Sequence, residues 1–182
     1  SGFASHSGFR EAFQRVFNEA PGRSRQAGER VVLTLLETPL GPMLAGANDQ
    51  GVRLLEYTDR RMLEHNLQTL RRRLACAVVP GEHPFLAKLR QELHEYFQGR
   101  RRQFTLSLAP CGTPFQEKVW RELRRIPFAQ TISYDELARR VGQPTAQRAV
   151  ARANGMNYCA ILIPCHRVIG KDGSLTGYGG GL

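Results

Sequence analysis

The sequence predicts a mixed α/β protein of the α+β kind, with strands near the front and helices dominating the second half. Three observations carry this expectation. Residues 30–58 alternate apolar and polar stretches around the turn signals TPLGP and NDQG, as short antiparallel strands do. Two stretches after them repeat apolar residues at helical spacing. From residue 113 on, three more helical stretches carry their own start and stop signals.

Taken in order, residues 3–17 place Phe9, Phe13, Val16 and Phe17 on one face of a helix. The stretch NEAPGRSRQAGE then breaks that pattern with Pro21, Gly22 and Gly28 and reads as a linker. After the strands of 30–58, a helix is predicted near 60–75. A stronger one follows over PFLAKLRQELHEYFQG, with Phe85, Leu89, Leu93, Tyr96 and Phe97 on one face and Gly99 as its stop. RRRQFTLSLAP, residues 100–110, returns as a strand. In TPFQEKVWRELRRI, Thr113 is the N-cap, Pro114 the first helical residue and Gln116 the partner of a capping box, with Phe115, Val119, Trp120, Leu123 and Ile126 facing inward. Ser133 and Glu136 repeat the device in SYDELARRVG, which Gly142 ends. TAQRAVARAN, residues 145–154, makes a further helix that stops at Gly155. Two short helices across a tight turn, after a longer one, fit either a helix-turn-helix that docks on DNA or ordinary three-helix packing. The apolar run AILI then predicts a buried strand that Pro164 ends, because proline cannot donate to a ladder.

The chain has 182 residues, 41% of them hydrophobic, which is enough for a real core. No apolar run is long enough to cross a bilayer, and SGFASHSGFR lacks the features of a secretion signal, so a cytoplasmic location without membrane attachment is expected. The formal charge is +10, and ten basic residues stand against five acidic ones from Gly112 on, which favours a polyanionic partner. The triplets at 71–73 and 100–102 read as solvated charge. Cys76, Cys111, Cys159 and Cys165 are too few and too scattered for a disulfide framework. No Cys-x-x-Cys or His-x-x-x-His spacing suggests a zinc site, so neither metal nor cofactor is expected.

Cys165 is open to two readings at this stage. A cysteine after an apolar run is commonly a small buried hydrophobe. Yet Pro164 would present it at the strand's mouth, and cationic neighbours favour the nucleophilic thiolate. Residues adjacent in a strand point to opposite faces, so His166 would reach the thiol more easily through a bridging water than directly.

The motifs GTPFQEKVW, ISYDELA, RAVARANGMN, IPCHRV and GYGGGL, in that order, resemble the O6-alkylguanine-DNA alkyltransferases, also called methylated-DNA-protein-cysteine methyltransferases. The resemblance spans about residues 30–182 and is most specific from Gly112 on. Residues 1–25 separately resemble the end of an AraC-type helix-turn-helix. Reader followed by alkyltransferase is the order found in the bacterial Ada regulators. The resemblance implies three parts: a reader remnant and linker (1–27), a small ribonuclease H-like α/β domain (28–109), and a mostly helical, winged helix-turn-helix-like domain that binds DNA and carries the chemistry (110–182).

It also implies a function and a set of residues. The protein would bind double-stranded DNA through the minor groove as a monomer and flip a nucleotide carrying O6-alkylguanine, with O4-methylthymine as a second substrate. It would then transfer the alkyl group irreversibly to Cys165. His166 matches the base that acts through water. Tyr134 matches the tyrosine that helps rotate the nucleotide and hydrogen-bonds the departing guanine. Asn157 matches the asparagine that braces the turn near the cysteine. Arg148 matches the arginine finger that fills the vacated stack, with Ala149 and Arg152 as further DNA contacts on the same helix. Tyr178 matches the pocket lid, with Val168 and Gly179 as pocket residues; Gly179 stands where some members have serine. The family's relay ends in a glutamate on a helix beyond the GGGL region, so that helix is expected past Leu182 in a longer natural chain. Two alternatives predict other behaviour. A lesion-recognising module would bind alkylated DNA without accepting the group, although such relatives replace the cysteine. A transcriptional regulator would read a promoter through residues 1–25.

Overall fold

The computed structural model describes residues 29–60 and 62–174, and the expected reader remnant at 1–27 lies outside them. The chain divides into two compact units. The first takes the described residues up to Arg101 together with Thr105–Cys111; the second takes Arg102–Phe104 and the described residues from Gly112 on.

The first unit is built on a four-stranded sheet in the order β3-β2-β1-β4. β1 (Arg30–Leu36), β2 (Met43–Asn48) and β3 (Gly51–Tyr57) form an antiparallel meander, as the alternation and the two turn signals predict. Val31, Leu33 and Leu36 of β1 are buried at the alternating spacing of a pleated strand. β4 (Ala77–Pro80) pairs parallel with β1 and was not anticipated, because four residues are too few to show alternation. α1 (Leu63–Leu74) leads into β4. α2 (Pro84–Phe97) packs across β2 and β3 through Leu86, Leu89 and Leu93.

The strand expected over 100–110 does not form. Its backbone is committed locally: the Arg100 and Arg101 N–H groups turn back onto the Glu95 carbonyl at 2.9 and 3.2 Å. Thr105 donates its N–H at 2.8 Å and its hydroxyl at 2.5 Å to the buried Glu92 carboxylate. Only one bridge remains, where Leu108 meets the edge strand β3 at Val52. That bridge covers an edge that would otherwise offer unpaired backbone groups. Arg53, 5% exposed, reinforces it by donating to the Ala109 carbonyl at 2.7 Å and to Asn48 Oδ1 at 3.1 Å.

The second unit packs three helices on one another: α3 (Pro114–Leu123), α4 (Tyr134–Arg140) and α5 (Gln147–Gly155). α3 starts with a complete capping box, in which Gln116 N–H donates to Thr113 Oγ1 at 3.2 Å and Thr113 N–H donates to Gln116 Oε1 at 2.8 Å. Ser133 caps α4 in the same way at 3.2 Å, but the return half is absent. Glu136 spends its carboxylate on Arg139 and Arg140, at 2.8 and 2.9 Å. Gly142, at φ +70°, closes α4 with paired bonds from Gly142 N–H to Arg139 O and from Gln143 N–H to Ala138 O, both 2.9 Å. The buried Trp120 of α3 ties the unit together, donating to the Ala153 carbonyl at 2.8 Å and meeting Tyr158 edge-on at 5.3 Å.

The bridge at β3 depends on close backbone approach. Gly51 has φ +139°, and a Cβ there would lie 2.5 Å from the Ser107 carbonyl oxygen. Gly51→Ala is therefore expected to destabilise the protein by about 1–3 kcal/mol. Urea titration should show this as a lower midpoint with an unchanged slope.

Candidate active site

Residues 157–165 are not the buried strand that the apolar run predicts. The segment bends on short-range hydrogen bonds. Leu162 N–H donates to Ala160 O at 2.8 Å, with Ile161 between them at φ +69°. A β-branched residue in that region is strained. Cys165 N–H donates to Ile163 O at 2.8 Å across Pro164, whose φ of −79° and ψ of 65° are those of an inverse γ-turn. Proline fits because the turn needs its fixed φ and takes no hydrogen bond from its nitrogen. Periodicity could not reveal this, since buried turns and buried strands are equally apolar.

Asn157, 1% exposed, holds these bends together. Its Nδ2 donates to the carbonyls of Ile163 at 2.8 Å and Cys159 at 3.3 Å, and lies 3.4 Å from Cys165 Sγ. Its Oδ1 accepts from Cys159 N–H at 2.9 Å. One side chain thus fixes both ends of the loop and touches the sulfur. Cys165 opens a single 3-10 turn, Cys165–Arg167, and is the one cysteine of the four that is not buried. The others are enclosed, and burial pushes the Cys76 thiol up, away from the reactive thiolate.

Tyr134 reaches the same place from another element. β6 (Val168–Ile169) pairs parallel with β5 (Ile132–Ser133), Ile132 with Val168 and Ser133 with Ile169. That pairing fastens the start of α4, where Tyr134 stands, to the end of the Cys-His-Arg turn. Burial pushes the Tyr134 phenol above its ordinary value, the negative charge of a Cys165 thiolate pushes it further, and a hydrogen bond with Asn154 opposes both. His166 moves the other way: burial, with the Arg167 charge second, lowers its imidazole. Consecutive residues of a 3-10 turn point about 120° apart, so Cys165 and His166 diverge in direction.

Arg167, whose purpose the sequence does not disclose, is a structural pin. Its guanidinium donates to the Ile126 carbonyl at 2.7 Å and lies 5.6 Å from the Phe128 ring centre. Arg148, Ala149 and Arg152 are exposed on α5, while Val150, Ala153 and Asn154 of the same helix are buried. Val168 is buried within β6. Tyr178 and Gly179 lie outside the described residues. Among the described residues, Cys165, Tyr134 and Asn157 come together, with His166 beside Cys165 in the same turn. No group of three histidine, cysteine or carboxylate side chains there is placed to hold a metal ion. Asn154 was missed; its only signal in the sequence is a polar residue on the inward face of a short amphipathic helix.

Comparison with known proteins bears on both units. Residues 31–110 match the model of the 6-O-methylguanine DNA methyltransferase ribonuclease-like domain, and residues 114–182 that of the 6-O-methylguanine DNA methyltransferase DNA-binding domain. The constitutive methylated-DNA--protein-cysteine methyltransferase of Bacillus subtilis is 44% identical over 81% of this chain and 86% of its own. The Methanosarcina barkeri protein of the same description is 41% identical over 81% and 88%. A Mycobacterium tuberculosis OGT crystallised in complex with DNA superposes with a TM-score of 0.69 at 36% identity, covering 84% of this chain and 85% of that one. With both domain models matched in succession and relatives this similar along four fifths of its length, the chain belongs to the 6-O-methylguanine DNA methyltransferase family.

Proposed function

We propose that Cys165 is the thiol to which this protein transfers the methyl group as it repairs DNA, and that the lesion is O6-alkylguanine, flipped out of the duplex. The observation that carries this is the setting of the sulfur. Of four cysteines only Cys165 is not buried, and its Sγ lies 3.4 Å from Asn157 Nδ2 on a braced loop beside Tyr134. In the transfer, the Sγ–C bond forms as the C–O6 bond breaks. The electron pair of the broken bond goes to the guanine ring. The thiol's proton passes to His166, through water because the two side chains diverge, and Tyr134 supplies a proton or hydrogen bond to the ring. The thioether left on Cys165 has no route back to a thiol, so each protein molecule repairs one lesion.

The perturbed groups suit these roles at neutral pH. A lowered imidazole stays neutral and can accept a proton, and a raised phenol stays protonated and can donate one. On α5 the exposed Arg148, Ala149 and Arg152 form the face offered to the minor groove. Arg148 in the first turn fills the space the flipped nucleotide leaves, and Arg152 meets phosphate. The small Ala149 lets the helix approach the DNA backbone closely. Val168 borders the base pocket, and the protein acts as a monomer without a cofactor.

The deciding experiment is mass spectrometry of a digest after incubation with duplex DNA containing O6-methylguanine. One methyl group per chain on the Cys165 peptide is expected, and none from Cys165→Ala; an unmodified peptide beside intact lesions would overturn the reading. The pH profile tests the base. Neutral imidazole is the active form, so the single-turnover rate should hold as pH falls past the ordinary histidine value of about 6.5 and drop only below it. His166→Gln is expected to slow transfer by about 10²–10⁴-fold at neutral pH. Asn157→Ala should lower stability by about 1–3 kcal/mol for each buried group left unpaired, read by denaturant titration.

A further inference from the structure

Phe128 is among the few large apolar side chains exposed in the described residues, at 44%. It stands in the turn 127–130, closed by Gln130 N–H on Pro127 O at 3.2 Å, with Ala129 at φ +61°. An alanine is strained in that left-handed region, so the turn is held by its surroundings rather than by its own preference. Two guanidiniums lie over the Phe128 ring, Arg102 Cζ 5.7 Å and Arg167 Cζ 5.6 Å from its centre. The Ile126 carbonyl fixes Arg167 at 2.7 Å, and Arg167 in turn fixes the ring. Arg102 belongs to the same unit and is exposed. The arginine triplet at 100–102 is therefore not uniform solvated charge. Arg100 donates to Gln98 and Arg101 pairs with Glu95 at 2.8 Å, whereas Arg102 has no hydrogen bond or ion pair among the described residues. The chain around the cluster is equally free of acid: residues 96–116, 123–134 and 137–171, which contain the three side chains, hold no aspartate or glutamate.

We propose that Arg102 and Phe128 form a second contact with the duplex under repair, in addition to the α5 face: Arg102 binds a backbone phosphate, and Phe128 lies against the adjoining deoxyribose. The inference rests on the reading that lesion-bearing DNA is the substrate. A guanidinium stacked on a ring uses its face and keeps its in-plane N–H groups for a bidentate hydrogen bond to phosphate oxygens. The ring also sets its direction in advance, which lowers the entropy lost on binding. The DNA backbone alternates phosphate with an apolar sugar, and a cation beside an exposed ring matches that alternation. Location favours DNA over an acidic peptide. Arg167, over the same ring, is two residues beyond Cys165, so a partner bound here lies close to the thiol that receives the alkyl group.

The test compares Arg102→Gln, Arg102→Lys, Phe128→Leu and Arg100→Gln in the full chain. The Kd for a duplex containing O6-methylguanine is measured over a range of salt concentrations in the Cys165→Ala background, which cannot take up the methyl group. The single-turnover rate at saturating duplex is measured with Cys165 in place. Arg102→Gln is expected to raise Kd about threefold to tenfold at physiological salt and to reduce the salt slope of log K by about 0.9, the count for one phosphate. Arg102→Lys keeps the charge and should keep the slope. Phe128→Leu removes the stacking and leaves both charges, so it should weaken binding by about twofold to fivefold with the slope kept. Arg100→Gln removes the same charge two residues away and should leave the slope unchanged. The rate at saturating duplex should match the parent in every variant, because the contact holds DNA without touching the reacting atoms. An unchanged slope in Arg102→Gln would overturn the inference, as would an equal fall in Arg100→Gln, which would leave only the general field of a basic surface. A parent-like Kd in Phe128→Leu would overturn the part given to the ring. A parent chain that neither binds the duplex nor takes up a methyl group would sink the proposed function itself; a parent that does both while Arg102→Gln matches it would sink only this contact.

Discussion

The hydrogen bonds made by one buried amide, Asn157, determine whether the loop that presents Cys165 has a shape at all. The loop has turns and a single 3-10 turn in place of an extended strand, and it holds Ile161 at a φ of +69° that a β-branched residue resists. Strain of that kind persists only where its surroundings over-determine it. Asn157 does so by joining Cys159 to Ile163 from both ends of its amide, while its N–H also faces the sulfur. Because these bonds are buried, each is stronger than at the surface, and each leaves a costly orphan if broken. The fixed setting of the Cys165 thiol is therefore a consequence of buried polar pairing rather than of apolar contact.

Burial also sets the electrostatics. It opposes whichever form of a group is charged, so it lifts a phenol and depresses an imidazole. Tyr134 and His166 sit in the same cluster, and the common desolvation drives them apart: both remain neutral at neutral pH, one able to donate and the other to accept. The Arg167 cation depresses His166 further, yet its guanidinium is held by the Ile126 carbonyl and the Phe128 ring. The positive charge beside the site thus acts at a fixed place.

How much of this could be read in the sequence depended on whether the responsible signal was local. The Thr113–Gln116 box and the Gly142 stop were legible because capping chemistry occupies four or five consecutive residues. The same logic overreached at Glu136, where two arginines one turn on compete for the carboxylate. The run at 160–163 was misread as a strand because hydrophobicity reports burial and not backbone conformation. The segment 100–110 was misread because Glu92 and the Glu95 carbonyl, on the preceding helix, claim its donors. Cys165, His166, Tyr134 and Asn157 were all named from motif resemblance. Asn154 and the fastening of Arg167 depend on contacts between elements, which no local pattern encodes.

The short β5–β6 pairing explains why such distant residues act together. Two strands of two residues add little stability of their own, and a pair that small holds only against packed helices. Here α4 begins at the residue after β5, and the Cys-His-Arg turn ends at the residue before β6. The pairing therefore links the helix packing to the Cys-His-Arg turn with almost no intervening chain. Tyr134 and Cys165 are registered to each other by backbone bonds, and Asn154 adds a side-chain bond to the Cys165 carbonyl.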